Sequence, residues 1–168
     1  MNNFKAILFF LILVSLSRII PHPPNFTPLL SAAIFLPFLI NDKRIILSLP
    51  LLVLIITDFF LGSYTQMIWV YGSLFLVSII SVYFYIFSFK RLILLSIISP
   101  SLFFMISNFG VWLGSSIYSV DLQGLLLCYY MALPFLAMNM ISTILFSSAF
   151  YISLKLFNKG LEVFDAPN

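Results

Sequence analysis

Charged side chains are scarce in this sequence. Eight Lys and Arg and five Asp and Glu make up only 8% of its 168 residues, whereas about a quarter of the residues in a typical soluble domain are charged. Hydrophobic residues make up 62%. This balance excludes a soluble globular protein and predicts an integral protein of the inner (plasma) membrane, with membrane lipid as its surroundings.

Histidine and cysteine occur once each, as His22 and Cys128. A lone cysteine cannot form a disulfide within this sequence or a cysteine-rich zinc or iron-sulfur site. One histidine does not supply a catalytic nucleophile, base and orienting group, and no H-E-x-x-H, Walker or glycine-rich phosphate motif occurs. We therefore expect no enzyme, no cofactor and no metal site. A buried apolar Cys128 is favoured over a metal-ligating one.

Long apolar runs dominate what is present. They cover residues 4–20, 26–40, 45–61, 66–89, 92–113 and 124–157. Most are near the roughly 20 residues that a helical crossing needs, and they lack the alternation of barrel strands. The sequence predicts an all-α domain over residues 1–168 with six transmembrane helices. The second and third runs are short for a full crossing.

The positions of the basic residues predict the orientation. They occur singly or in pairs at every second boundary, as Lys5, Lys43 and Arg44, Lys90 and Arg91, and Lys155 and Lys159. By the positive-inside rule both termini are cytoplasmic. Arg18 alone lies toward the outside. Because the basic residues form no patch, we expect no nucleic-acid partner.

The N-terminal stretch has a second interpretation. Its basic start, apolar middle and small residues Ser15 and Ser17 also suit a cleaved signal peptide. Cleavage would leave five spans with an external N-terminus. Retention is favoured, because Ser-x-Ser is a poorer cleavage site than Ala-x-Ala.

Polar residues gather at the predicted outer ends of the spans. Ionisable residues at membrane depth are costly unless paired, and Arg18 is the natural partner of Asp58. This predicts an ion pair between the first and third helices. Two roles stay open for it: it braces the two helices only, or it also contacts a ligand.

Two further positions could line a cavity on the same side. Asn108 and Trp112 are four residues apart and so share a helix face, although an interhelical hydrogen bond and an interfacial tryptophan explain them equally well. Asn139 shares a stripe of the last helix with Cys128 and Phe135.

The segment Ser17–Pro28, SRIIPHPPNFTP, contains four prolines. Proline restricts the backbone and excludes regular helix, so the sequence predicts an ordered outer lid rather than a loose linker. Thr27 is expected to cap the second helix, with Pro28 as its first residue. His22 and Asn25 would then lie over the centre of the bundle, with His22 either a turn residue or a ligand contact.

Four blocks of the sequence together resemble an uncharacterised family of small bacterial six-helix membrane proteins. The blocks are RIIPHPPNFTPLLSAAIF, TDFFLG, SNFGVWL and CYYMALPF, and the resemblance covers residues 17–146. That family is similar to the substrate-binding S components of energy-coupling-factor (ECF) vitamin transporters. These are six-helix bundles with both termini inside and a pocket that opens outward.

The resemblance implies a vitamin-like substrate, and a transmembrane coupling subunit and ATPases as partners. The Ala-x-x-x-Ala docking pattern of many S components is not evident, and its nearest counterpart is Ser31, Ala32 and Ala33. Some relatives of the S components act alone, including cobalamin transporters with a cysteine as cobalt ligand, which is the ligand role that Cys128 would have.

Our leading hypothesis is a small-molecule-binding membrane subunit with an outward-facing pocket. Its predicted ligand-binding residues are Arg18, His22, Asn25, Asp58, Asn108, Trp112 and Asn139. The competing hypothesis is a six-helix scaffold protein, comparable to subunits of cell-shape machinery, in which the same polar residues only join helices. A cavity of a few hundred cubic ångströms under the outer loops would favour the binding protein.

Overall fold

The computed structural model describes residues 3–84 and 88–164 and is all-helical over those ranges. Its six α-helices are α1 (Asn3–Ile19), α2 (Leu29–Phe35), α3 (Lys43–Leu61), α4 (Met67–Phe84), α5 (Phe89–Gly114) and α6 (Leu122–Phe164). The predicted all-α class and the six helices are confirmed. Residues 85–87 of the predicted fourth run lie outside the described residues, as do the side chains of Lys5 and Lys159.

Four of the helices, α3 to α6, are long and apolar enough to cross a membrane. The longest, α6, has 43 residues and a length of about 64 Å at 1.5 Å per residue. It therefore extends well beyond the roughly 30 Å of a hydrocarbon core. These four helices support the predicted membrane character. The cytoplasmic position of both termini stays a prediction, and we use it to name the end with Arg18 the outer end.

The second predicted crossing, 26–40, is only partly helical. It consists of the seven residues of α2 and a 3₁₀ turn at Leu36–Phe38. A stretch of ten helical residues rises about 15 Å, half of the bilayer core. The predicted Thr27 cap is wrong, because Pro28 itself occupies the N-cap position without a side-chain hydrogen bond. Thr27 lines a cavity instead.

Helix α2 lies at the centre of the inner half of the bundle. All seven of its residues are buried, and it packs against α3, α4, α5 and α6. Ser81, near the inner end of α4, donates a hydrogen bond of 3.2 Å to the carbonyl of Ala33. The ring of Phe35 lies 5.5 Å from that of Phe150 on α6. The outer half of the bundle is thus left without a helical second crossing.

A non-helical segment, Ile20–Pro28, takes the place of that missing half. The Phe26 N–H donates to the carbonyl of Pro23 (3.0 Å), and the His22 ring nitrogen Nδ1 lies 2.8 Å from the same oxygen. Asn25 has a φ of 62°, a left-handed conformation that asparagine adopts more readily than most residues. These turn contacts give the segment a defined conformation, as expected of an ordered segment and not of a loose linker.

The segment enters the bundle instead of lying over its outer end as predicted. The carbonyl of Asn25 accepts a hydrogen bond from Ser142 (3.4 Å), and the ring of Phe26 lies 5.7 Å from that of Phe146. Ser142 is about 30 Å along α6 from its first residue, Leu122. Non-helical backbone at membrane depth is tolerated where protein or a watery cavity surrounds it, and here it forms the wall of a cavity.

Candidate functional site

An ion pair joins α1 to α3 at the outer end. The Arg18 Nη2 lies 2.8 Å from Oδ1 of Asp58, and Nη1 donates a hydrogen bond to the Thr57 hydroxyl. Arg18 lies in the last turn of α1, and Asp58 lies three residues before the last residue of α3, Leu61. The ion pair predicted from the sequence is present.

The second carboxylate oxygen of Asp58 is also occupied. Oδ2 accepts hydrogen bonds from the hydroxyls of Tyr71 (3.0 Å) and Tyr64 (3.4 Å). The Asp58 side chain is only 2% exposed, whereas that of Arg18 is 16% exposed. Burial, followed by the negative charge of Asp58, raises the pKa of Tyr64 in the α3–α4 loop to about 12. The Tyr64 phenol therefore stays protonated and donates at neutral pH.

A cavity of about 450 Å³ lies next to this ion pair. All six helices and the segment Ile20–Pro28 contribute to its lining. The lining residues are Arg18, His22, Asn25, Thr27, Leu29, Leu30, Leu54, Leu61, Tyr64, Gln66, Val70, Phe103, Phe104, Ser107, Asn108, Val111, Phe135, Leu136 and Asn139. Nine of these nineteen residues are polar and ten are apolar, so the wall is mixed and more polar than that of a typical small-molecule site.

Five of the seven predicted ligand-binding residues line this cavity: Arg18, His22, Asn25, Asn108 and Asn139. They come from α1, the non-helical segment, α5 and α6, so only the tertiary fold brings them together. Asp58 is not among the lining residues and lies behind Arg18, holding the guanidinium group in place.

Trp112 is not among the lining residues either. Its indole N–H donates to the carbonyl of Ser119 (3.0 Å), and its ring packs 5.4 Å from that of Phe109. Trp112 thus braces the loop between α5 and α6. Asn108 lines the cavity together with Ser107 and Val111, whereas Trp112 does not, so the predicted shared face of Asn108 and Trp112 is only partly directed to the cavity.

The carboxamides of Asn108 and Asn139 differ in the hydrogen bonds that they form within the protein. Asn108 donates through Nδ2 to the carbonyl of Phe104 (2.9 Å), which leaves its side-chain oxygen as an acceptor. Asn139 is 8% exposed, and its carboxamide makes no hydrogen bond with any residue that the structure describes.

Cys128 is buried between α5 and α6. Its exposed fraction is 1%, and its thiol lies 3.5 Å from the carbonyl oxygen of Asn108. Within residues 3–84 and 88–164, no three His, Cys, Asp or Glu side chains gather where they could hold a metal ion. The position of Cys128 is that of a packing residue.

Several residues of the site were not predicted from the sequence. Tyr64 and Gln66 belong to the loop LGSYTQ between α3 and α4, for which we predicted no role. Tyr71 lies near the start of α4, where an aromatic side chain is also typical of a membrane interface. The short distance along the sequence is the one available signal, because Tyr64 follows Asp58 by only six residues. The sequence does not show, however, whether a tyrosine hydroxyl there bonds to Asp58 or lies among the lipid headgroups.

Comparison with known proteins gives one family match. The model of DUF6580, described as a family of unknown function, matches residues 1–164. The chain belongs to the DUF6580 family. No curated protein and no solved structure matches this DUF6580 protein.

Proposed function

We propose that this DUF6580 protein is a membrane protein that binds a small molecule in the cavity beside Arg18. The observation that carries the proposal is the cavity itself. Its volume of about 450 Å³ falls within the range of small-molecule sites, about 300–1,000 Å³. A scaffold protein, the alternative function, needs no such space and would be expected to fill its outer half with side chains.

The non-helical segment Ile20–Pro28 adds support. Membrane transporters commonly place substrates where a helix is interrupted, because the freed backbone and side chains can face the substrate. Here Asn25 and Thr27 of the interrupted crossing line the cavity. A protein that only joined helices would gain nothing from breaking one.

The finer form of the proposal is an S-component-like transporter subunit. It rests on the resemblance of the sequence blocks and agrees with a six-helix bundle that carries its cavity toward the outer end. A coupling subunit and ATPases would then be partners. The small cluster Ser31, Ala32 and Ala33 does not offer a docking surface for them, because each of the three residues is at most 2% exposed. Docking would use another face, or the protein would act alone.

Native mass spectrometry of protein purified in mild detergent tests the proposal. We expect a bound small molecule, and a rise in melting temperature when the ligand-free protein is mixed with the small-molecule fraction of a cell extract. A coupling subunit and ATPases in the same preparation would support the transporter form. Absence of both the bound molecule and the thermal shift would contradict the proposal and favour the scaffold.

Two serines of α5 provide matched variants. Ser107 and Ser101 each donate a hydrogen bond to the carbonyl four residues earlier, at 2.7 and 2.8 Å, but only Ser107 lines the cavity. Ser107→Phe should fill the cavity and abolish ligand retention. Ser101→Phe should retain the ligand. Equal retention by the two variants would show that the ligand binds elsewhere.

A further inference from the structure

The unpaired carboxamide of Asn139 indicates what kind of group the cavity holds. The residue is only 8% exposed and its side chain lines the cavity, yet none of the described residues forms a hydrogen bond with the carboxamide. Within the described part of the chain, the polar side-chain atoms that are fully enclosed without a partner are the hydroxyls of Ser99, Ser115 and Ser147, so the Asn139 carboxamide is not sealed off and its atoms remain open to the cavity. Asn139 offers both a donor and an acceptor to whatever occupies the cavity.

Other polar groups of the wall also have hydrogen-bonding capacity to offer, and Asn108 and Arg18 are two of them. Asn108 has an acceptor oxygen left over after its own donor is bonded to Phe104. Arg18 has five N–H donors, of which one bonds to Thr57 and one to Asp58. The wall therefore presents donors at Arg18, an acceptor at Asn108 and both at Asn139, and the polar side chains of Asn25, Thr27 and Gln66 line it as well.

The charges of the wall disfavour a charged ligand. Asp58 lies 2.8 Å behind Arg18 and compensates its positive charge. An anion at Arg18 would lie close to the Asp58 carboxylate, and a cation would find no carboxylate among the lining residues. Because a charge is costly to remove from water without an unshared opposite charge, both are at a disadvantage.

We infer that the cavity takes an uncharged ligand that carries carbonyl and N–H groups side by side. The inference rests on the proposed function and specifies its substrate class. The carbonyl meets the donors of Arg18 or Asn139, and the N–H groups meet the free oxygens of Asn108 or Asn139. The apolar part of the ligand packs against the apolar residues of the wall, which include Leu54, Phe104 and Phe135.

Three probes of the same shape test the charge preference: benzamide, benzoate and benzamidinium. They share one ring and differ in whether the attached group is neutral, negative or positive. Binding to the full-length protein in lipid nanodiscs can be measured by ligand-observed NMR. We expect benzamide to bind at least about tenfold more tightly than either charged probe, an easily resolved difference in dissociation constant. Equal or tighter binding of a charged probe would overturn the inference.

Asn139→Leu tests the carboxamide. It should weaken benzamide binding by about tenfold, the effect of one lost hydrogen bond. It should not lower the melting temperature, because no hydrogen bond to a described residue is lost. The control is Asn41→Leu in the exposed loop before α3, which should change neither quantity. Unchanged benzamide binding in Asn139→Leu would overturn the inference, since water alone would then satisfy the amide.

A second variant keeps the shape of the side chain. Asn139→Asp places a carboxylate in the wall and should reverse the preference, so that benzamidinium binds more tightly than benzamide. Retention of the original order would count against Asn139 as a ligand contact. This measurement also decides the matter if Asn139→Leu does not fold.

The outcomes separate this inference from the proposed function. A native ligand recovered by mass spectrometry that is charged at neutral pH would overturn the inference and leave the proposed function standing. Failure to recover any ligand, together with no binding of any of the three probes, would contradict both the inference and the proposed function.

Discussion

Replacing Arg18 and Asp58, singly and together, measures how strongly α1 is attached to α3. The variants are Arg18→Gln, Asp58→Asn and the double change. The Asp58 side chain is almost excluded from solvent, and its two oxygens bond to the guanidinium group and to two tyrosine hydroxyls. Removing one partner therefore leaves the other without its counter-charge in a poorly hydrated place.

The expected magnitude follows from burial and distance. Unit charges about 4 Å apart attract by about 4 kcal/mol at an effective dielectric constant of about 20. Removing one partner of a buried pair costs about 3–5 kcal/mol. The loss of free energy of unfolding caused by Arg18→Gln should lie at the upper end of this range, because the variant leaves the Asp58 carboxylate, which is only 2% exposed, without its counter-charge. The double variant should cost less than either single variant, which gives a coupling energy of about 3 kcal/mol or more, within the range measured for close charge pairs.

Reversible unfolding in mixed micelles with increasing SDS content, followed by circular dichroism, provides the free energies. The matched control combines Arg18→Gln with Asp42→Asn. Asp42 caps α3 at its opposite end by accepting from the Arg44 N–H (2.9 Å), and asparagine is an equally good cap. The control pair should be additive within about 0.5 kcal/mol. If Arg18 and Asp58 are also additive, the two side chains do not meet and our description of the site is wrong.

Two further predictions concern topology and packing. In a cysteine-free background, a membrane-impermeant thiol reagent added to intact cells should label a cysteine at Ser63 and miss one at Lys90, as the positive-inside rule requires; the reverse result would invert the bundle. An added Cβ at Gly110 would lie 2.1 Å from the Trp69 ring, whereas one at Gly72 meets nothing within 4 Å. Gly110→Ala should therefore lower the free energy of unfolding by about 1–3 kcal/mol, and Gly72→Ala should not lower it; equal effects would show that Trp69 does not pack there.

Part of the site was predictable because membrane depth makes charge conspicuous. Arg18 and Asp58 stand out in a sequence with 8% charged residues, and each needs a partner of opposite sign. Composition, together with the predicted outer position of both residues, therefore led to the pair that the structure shows. The two tyrosines that donate hydrogen bonds to Asp58 were missed. Tyrosine is common at membrane interfaces, and the sequence does not indicate where its hydroxyl points.

The interrupted second crossing is a feature whose path the sequence pattern does not determine. An apolar run of about 15 residues suits either a short crossing or a buried helix joined to an extended segment. The prolines of Ser17–Pro28 show that the chain there is not helical, yet they do not say where it goes. Its path into the bundle depends on contacts made with α6, more than 100 residues later, such as the hydrogen bond from Ser142 to Asn25.

The sequence by itself determined the helical class, the membrane character and the concentration of polar residues toward one end. These follow from composition and spacing, because each apolar run must form its own hydrogen bonds in lipid. The tertiary structure decided which polar side chains face one another. It placed Asn139 in the cavity wall and turned Trp112 away from it, since the rotation of each helix depends on packing against neighbours that no local pattern encodes.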